Sequence, residues 1–328
     1  MQVRFWGVRG SVPSPLLNED IAARLVEAVL RLGSESHPPD LSDRDAVARW
    51  VDALPLRIRG HVGGNTPCVE MRTAAGDIFI IDFGSGIRAL GNELVRNDFG
   101  KGRGHAHLFL SHFHWDHIQG WPFFKPAYIP GNRFDIYTRH ENIQPRLRQQ
   151  QEAPFFPSAS WDDMRADFSY YEIDEEPLVL CDGRVRVTSI ELDHPSRAFA
   201  YRFEADGKVF VYASDATYED LDDVALRPYV EFYRDADVLI FDAQFTLSES
   251  REKRSWGHSS AIIGVELACL ANVKNLVLFH HDPGADDGGL EHLYQVAQQY
   301  VEVVPCAVRR RPNQCQVTLA REGMVLDL

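Results

Sequence analysis

The chain has 328 residues, 45% apolar and 25% charged, which is the make-up of a globular protein with a substantial core. Its 34 basic against 48 acidic residues leave a net charge of −14, a field that disfavours long polyanions such as duplex nucleic acid. The opening residues lack the apolar stretch of a signal peptide, and no later apolar run approaches the roughly 18 residues of a membrane span. Cys68, Cys181, Cys269, Cys306 and Cys315 are odd in number and scattered, which fits free thiols in a reducing cytoplasm better than a disulfide framework.

Residues 3–6 start a short strand, broken by the turn formers Gly7-Val-Arg-Gly-Ser11 and by Pro13 and Pro15. Asn18 or Asp20 caps an expected helix through Leu32 that carries Ile21, Leu25 and Val29, and a shorter helix covers about 46–54. Residues 14–60 read as a helical insertion, because core-like strands resume only after Gly63-Gly-Asn-Thr66. Strands are expected at 68–72 and 78–82, joined by a turn at Ala75-Gly76-Asp77. Phe83-Gly-Ser-Gly86 then leads into a helix with Ile87, Leu90 and Leu94.

An apolar strand follows and runs into Ser111-His112-Phe113-His114-Trp115-Asp116-His117. On an extended backbone, side chains two apart point the same way, so His112 and His114 can grip one ion. Asp116 and His117 leave the turn in another direction and can grip a second. Imidazole and carboxylate donors suit zinc, and also manganese or iron. A strand at 134–137 comes next. Residues 141–171 then read as a polar helix at 143–151 followed by Phe155, Phe156, Pro157, Trp161, Tyr170 and Tyr171. Such aromatics form either a substrate lid or core packing.

The second half is strand-rich, with strands at 185–192, 199–203, 209–213, 238–241 and 276–279. Helices at 259–270 and 290–300 and strands at 316–319 and 324–326 complete it. His194, Asp215 and His280 each stand just past the end of a predicted strand, where loops converge. The pattern suggests one domain built as two sheets sandwiched between helices.

Ser111-His112-x-His114-x-Asp116-His117-x-x-Gly120, followed by His194, Asp215 and His280, resembles the metallo-β-lactamase superfamily over nearly the whole chain. Gly7-Val-Arg-Gly-Ser11, Gly63-Gly-Asn-Thr66, Ile81-Asp-Phe-Gly84, Trp121-Pro-Phe-Phe124 and Gly257-His-Ser-Ser260 resemble signatures of its phosphodiesterase branch, with ribonuclease Z and the cyclic phosphodiesterases. The resemblance implies an α/β fold, a four-layer αββα sandwich of two mixed β-sheets flanked by helices. It further implies one metal on His112, His114 and His194 and a second on Asp116, His117 and His280, with Asp215 bridging. His280 is preferred to His281 as the last ligand on the same ground. Asp82 would orient the metal loop by hydrogen bonds.

The activity expected is that of a dinuclear metal-dependent hydrolase, a phosphodiesterase working through a metal-bridging hydroxide. Asp116 would orient the nucleophile, and His258 would protonate the leaving oxygen. The only dense basic cluster is Arg309-Arg310-Arg311, and no long basic arm of the kind ribonuclease Z uses on transfer RNA is evident. The expected substrate is therefore a small or cyclic phosphodiester. A homodimer is expected by analogy, and a membrane is not an expected partner. A lactonase- or thioesterase-type carbonyl hydrolase on the same metals is the alternative, since one fold hosts many chemistries. A non-catalytic nucleotide- or metal-binding module would be expected to have lost ligands that this chain retains.

Overall fold

Runs such as Val238–Asp242 are apolar on both faces, which suits strands covered by a facing sheet on one side and by helices on the other. The computed structural model describes residues 1–155, 161–303 and 315–328, and its strands form two seven-stranded mixed sheets. The first takes β1 (Gln2–Gly7), β2 (Cys68–Arg72), β3 (Ile78–Ile81), β4 (His105–Phe109), β5 (Arg133–Thr138) and β6 (Asp167–Glu172) in that spatial order. Pairing is antiparallel from β1 to β3 and parallel from β3 to β6.

The second sheet holds β7 (Leu178–Leu180), β8 (Val185–Leu192), β9 (Ala198–Ala205), β10 (Lys208–Ala213), β11 (Val238–Asp242), β12 (Asn275–Phe279) and β13 (Gln316–Leu319). It is antiparallel from β7 to β10 and parallel from β10 to β13. A final strand, β14 (Val325–Asp327), returns to pair with β1.

Inward-facing residues of both sheets interdigitate in a central core that includes Phe5, Met71, Phe79, Phe109, Phe203 and Phe279. Phe79 and Phe109 meet Phe203 edge-on, with ring centroids 5.8 and 5.1 Å apart. The helices are α1 (Asn18–Ser34), α2 (Arg44–Ala53), α3 (Leu56–Arg59), α4 (Ile87–Leu94), α5 (Trp115–Ile118), α6 (Ile143–Gln149), α7 (Asp223–Tyr233), α8 (Leu247–Glu252), α9 (Ala261–Leu270) and α10 (Asp287–Val303). Ile87, Leu90 and Leu94 of α4 cover the outer face of the first sheet. Helices α7, α9 and α10 cover the second through Leu226, Val265 and Leu290. The layers are therefore helix, sheet, sheet, helix, as the motifs imply.

The two readings left open for the aromatics of 141–171 divide by residue. Tyr170 and Tyr171 belong to β6, a strand at the edge of the first sheet, where Tyr171 stacks on Tyr137 at 4.9 Å, so they form no lid. Trp161 is buried against Phe168. Phe155 is exposed and lines an open groove of about 540 Å³ with Phe113, Trp115 and Phe123, while Phe156 and Pro157 lie outside the described residues. The expected helix α1 forms, yet Ile21, Leu25 and Val29 on it stay exposed.

The helical insertion is tied down at its base by one buried carboxylate. Asp287, at the start of α10, accepts hydrogen bonds from Arg24, from His61 Nδ1 at 3.0 Å and from the Val62 amide at 3.0 Å. Cys68, Cys181, Cys269 and Cys315 are unbridged, and Cys306 and the Arg309-Arg310-Arg311 cluster lie outside the described residues. Among the described residues no helix is long and apolar enough to cross a membrane.

Candidate metal centre

Five strands end on one rim of the sandwich and deliver polar side chains there. Asp82 follows β3, the 112–117 motif follows β4, His194 follows β8, Asp215 follows β10 and His280 follows β12. Three of these residues turn sharply: Asp82, Asp215 and His280 have φ of 60°, 53° and 57°. A left-handed non-glycine residue costs on the order of 1–3 kcal/mol, and the cost here aims each side chain into the rim.

The seven side chains expected as ligands fall into two groups that share Asp215. One is His112, His114, His194 and Asp215, and the other is Asp116, His117, Asp215 and His280. In the second group, His280 Nε2 is 3.1 Å from Asp116 Oδ2, 3.3 Å from Asp215 Oδ2 and 3.3 Å from His117 Nε2. His117 Nε2 is 3.3 Å from Asp116 Oδ2 and 3.2 Å from Asp215 Oδ2. A tetrahedral ion with ligands at about 2.0–2.1 Å requires ligand-to-ligand edges of roughly 3.3 Å. These edges match that spacing.

Hydrogen bonds on the far side of each ring fix which nitrogen faces the centre. His117 Nδ1 donates to Asp82 Oδ2 at 2.7 Å, and His280 Nδ1 donates to Gln244 Oε1 at 2.9 Å. With each Nδ1 committed as a donor, both Nε2 atoms face one point, 3.3 Å apart, where they can share a proton or a metal ion. The first group is wider. His194 Nδ1 donates to the Gly257 carbonyl at 2.8 Å, turning Nε2 toward His114 Nδ1 at 3.0 Å and Asp215 Oδ2 at 4.0 Å. His112 Nε2 is buried without a hydrogen-bond partner, 3.6 Å from Asp215 Oδ2. An orphaned ring nitrogen facing a carboxylate fits a place in a metal's ligand set. The donor set thus fits divalent metal.

The electrostatics agree. Burial would raise the carboxyls of Asp116 and Asp215, but the rings of His117 and His280 hold both well below their ordinary range. Burial would likewise keep His117 neutral, yet Asp215, Asp116 and Asp82 hold its pKa well above the usual value. The carboxylates demand positive charge at the point where the lone pairs meet.

Asp82 anchors the loop as expected. Its carboxylate accepts from the Ser111 amide and hydroxyl, both at 2.8 Å, from Tyr212 Oη at 2.6 Å and from His117. Asp116 Oδ2 accepts from the Ser11 amide at 2.8 Å, which gives the Gly7-Val-Arg-Gly-Ser11 turn its place. A Cβ on Gly10 would lie 2.5 Å from the His280 ring, so only glycine lets this turn approach. His281 turns away from the centre, is buried, and bonds the Ala320 carbonyl at 3.0 Å, and burial pushes its pKa down to about 3.

His258 sits beside the ligands without joining either group of four. Its ring stacks on His280 at 5.0 Å, and Nδ1 bonds Asp242 Oδ2 at 2.9 Å. Burial works against its charged form, but Asp242 outweighs that and its pKa is raised to about 9. Sequence reasoning missed Asp242, Gln244 and Tyr212. Asp242 ends β11 as Asp215 follows β10, a signal available to a reader; Gln244 and Tyr212 had none.

Comparison with known proteins gives one consistent picture. Residues 79–281 match the beta-lactamase superfamily domain family. Ribonuclease BN of Citrobacter koseri is 23% identical over 272 residues, 69% of this chain and 85% of that protein. The metallo-beta-lactamase fold protein YhfI of Bacillus subtilis superposes with a TM-score of 0.61 at 16% identity, covering 99% of this chain and 98% of its own. A diphosphatase of the PhnP family superposes with a TM-score of 0.60 at 17% identity, covering 100% of this chain and 97% of its own.

Proposed function

The chain belongs to the beta-lactamase superfamily, and from that premise we propose that it is a dinuclear metal-dependent phosphodiesterase acting on a small or cyclic phosphodiester. The observation that carries this reading is the pair of four-donor groups sharing Asp215, set beside a histidine outside both groups whose Nδ1 is held by Asp242. Two of the relatives are named for phosphorus chemistry, a ribonuclease and a diphosphatase, which supports phosphorus over carbon as the centre attacked. The net charge of −14 supports a small substrate over a long nucleic acid.

On this reading His112, His114, His194 and Asp215 hold one ion, and Asp116, His117, His280 and Asp215 hold the other. Zinc suits these donors best, with manganese and iron as alternatives. When bound, such ions polarise phosphoryl oxygens and make a water acidic near neutral pH. The protein does the rest. Asp116, fixed by the Ser11 amide, presents a carboxylate oxygen that orients the incoming nucleophile. His258 donates its Nε2 proton to the departing alkoxide, while Asp242 holds the opposite nitrogen and stabilises the charged ring.

The test is hydrolysis of bis(p-nitrophenyl) phosphate by protein loaded separately with zinc and manganese, beside an Asp215→Asn control. Metal-dependent turnover lost in the control is the expected result. No turnover with the centre fully loaded sinks the reading and points to lactones and thioesters.

A further inference from the structure

A second set of metal-ligating side chains stands at the opposite end of the first sheet. β4 opens with His105 and His107, two residues apart and therefore on one face, and β5 sets Asp135 opposite His107 in the parallel register. The metal centre gathers beyond the end of β4, whereas this trio lies toward its start. The stretch from His107 to His112 covers roughly 16 Å of extended chain. His105 Nε2 is 2.8 Å and His107 Nδ1 3.7 Å from Asp135 Oδ2, and the three donor atoms all lie within 4.8 Å of one another. The His107 ring is buried, stacks on Phe79 at 5.0 Å, and meets Cys181 Sγ through its far nitrogen, Nε2, at 3.6 Å. Nδ1 is left facing the trio, with Tyr137 Oη at 3.2 Å as its other neighbour. The side chains of His105 and Asp135 are 38% and 22% exposed, so an ion reaches the trio from solvent.

We propose that His105, His107 and Asp135 form a further metal site, separate from the dinuclear centre and suited to copper(II). With ligands at about 2.0 Å, neighbouring donors of a square-planar ion lie roughly 2.8 Å apart and opposite ones roughly 4 Å, whereas every tetrahedral edge is roughly 3.3 Å. The edges of 2.8 and 3.7 Å at this trio follow the square-planar pattern, and the edges of 3.1 and 3.3 Å around His280 follow the tetrahedral one. Imidazole nitrogen and carboxylate oxygen in a tetragonal array are what copper(II) prefers, and copper(II) stands at the top of the affinity order of the divalent ions. Donors from one sheet face leave the remaining positions to water. An ordinary ion pair between His105 and Asp135 accounts for the 2.8 Å contact, but not for a buried second imidazole turned toward the same carboxylate. Cys181 stays outside the ligand set, because it meets the opposite nitrogen of His107 and fixes which nitrogen faces the trio.

Electron paramagnetic resonance tests this, because zinc is silent and only copper is seen. Zinc-loaded protein is given one equivalent of copper(II) per chain, and zinc content is measured on the same sample. The expected result is a single tetragonal copper signal split by two imidazole nitrogens, with all zinc retained. His105→Ala, at a partly exposed strand end, should reduce the splitting to that of one nitrogen and weaken copper binding about tenfold or more, since even a partner behind a ligand is worth that much. Asp135→Asn should weaken binding likewise while keeping both nitrogens. No bound copper, copper bound only as zinc leaves, or a signal unchanged in both variants would overturn the site. Hydrolysis of phosphodiesters has no bearing on this outcome, so the site and the proposed reaction stand or fall separately.

Discussion

Replacing Asp82 with Asn tests whether the hydrogen bonds behind the ligands set metal affinity. The Asp82 carboxylate accepts four hydrogen bonds, from the Ser111 amide, the Ser111 hydroxyl, Tyr212 Oη and His117 Nδ1. Asn keeps the shape but presents one oxygen and one NH₂. With the NH₂ at the Oδ2 position it opposes His117 Nδ1–H, and relief requires moving the ring proton to Nε2, where the lone pair should meet the ion. With the amide flipped, the NH₂ opposes the Ser111 N–H. Either way a buried donor is unsatisfied, at about 1–3 kcal/mol. Loss of a partner behind a metal ligand lowers affinity by roughly 10–100-fold. Zinc affinity measured by competition with a fluorescent chelator should fall by about that factor. The metal-free variant should also melt at a lower temperature than metal-free wild type. Affinity within about twofold of wild type would refute the argument, because the tautomer of His117 would then not depend on Asp82.

Two other perturbations separate chemistry from scaffolding. His258→Ala should lower kcat on a cyclic nucleotide, whose leaving group is an alkoxide, by about 10²–10⁴-fold with two metals still bound, as removal of a general acid does; unchanged kcat on that substrate would remove its assigned role. Asp287→Ala strips the acceptor from Arg24, His61 and the Val62 amide, and should cost about 2–3 kcal/mol in urea unfolding without changing metal content. Burial opposes ionisation of Asp287, but bonds from His61, Arg24 and Val62 hold its carboxyl well below the ordinary range. A lowered folded pKa adds stability above the unfolded value of about 3.9 and loses it as pH falls. The gap between wild type and variant should therefore narrow from about pH 4 downward, and a gap that widened there would contradict the assignment.

Much of the centre was legible in the sequence because metal ligation forces residue type and spacing together. His112 and His114, two residues apart, fall in one donor group and Asp116 and His117 in the other, and His194, Asp215 and His280 join them from loops after predicted strands. The start of the strand at 185–192 alternates, with Val185 and Val187 buried and Arg186 between them exposed. What escaped has physical reasons. Strand β6 is mostly solvent-facing at a sheet edge, so its aromatics did not read as a strand. Helix α7 carries Pro228 in its interior, which breaks the helical pattern, though Asp222 caps it through the Val224 and Ala225 amides. The exposed apolar face of α1 follows the same periodicity as a buried one, so sequence could not show that Leu25 and Val29 face outward. Gln244 and Tyr212 act only through the residues they orient, and no local pattern marks them.

Metal count bears most directly on the shared centre. Native mass spectrometry of zinc-saturated wild type and of Asp215→Asn should show two ions per chain in the first. In the second, both sites should weaken together, because one carboxylate oxygen serves both donor groups. A wild-type chain that never holds more than one ion, or an Asp215→Asn chain that keeps two at unchanged affinity, would contradict a shared dinuclear centre.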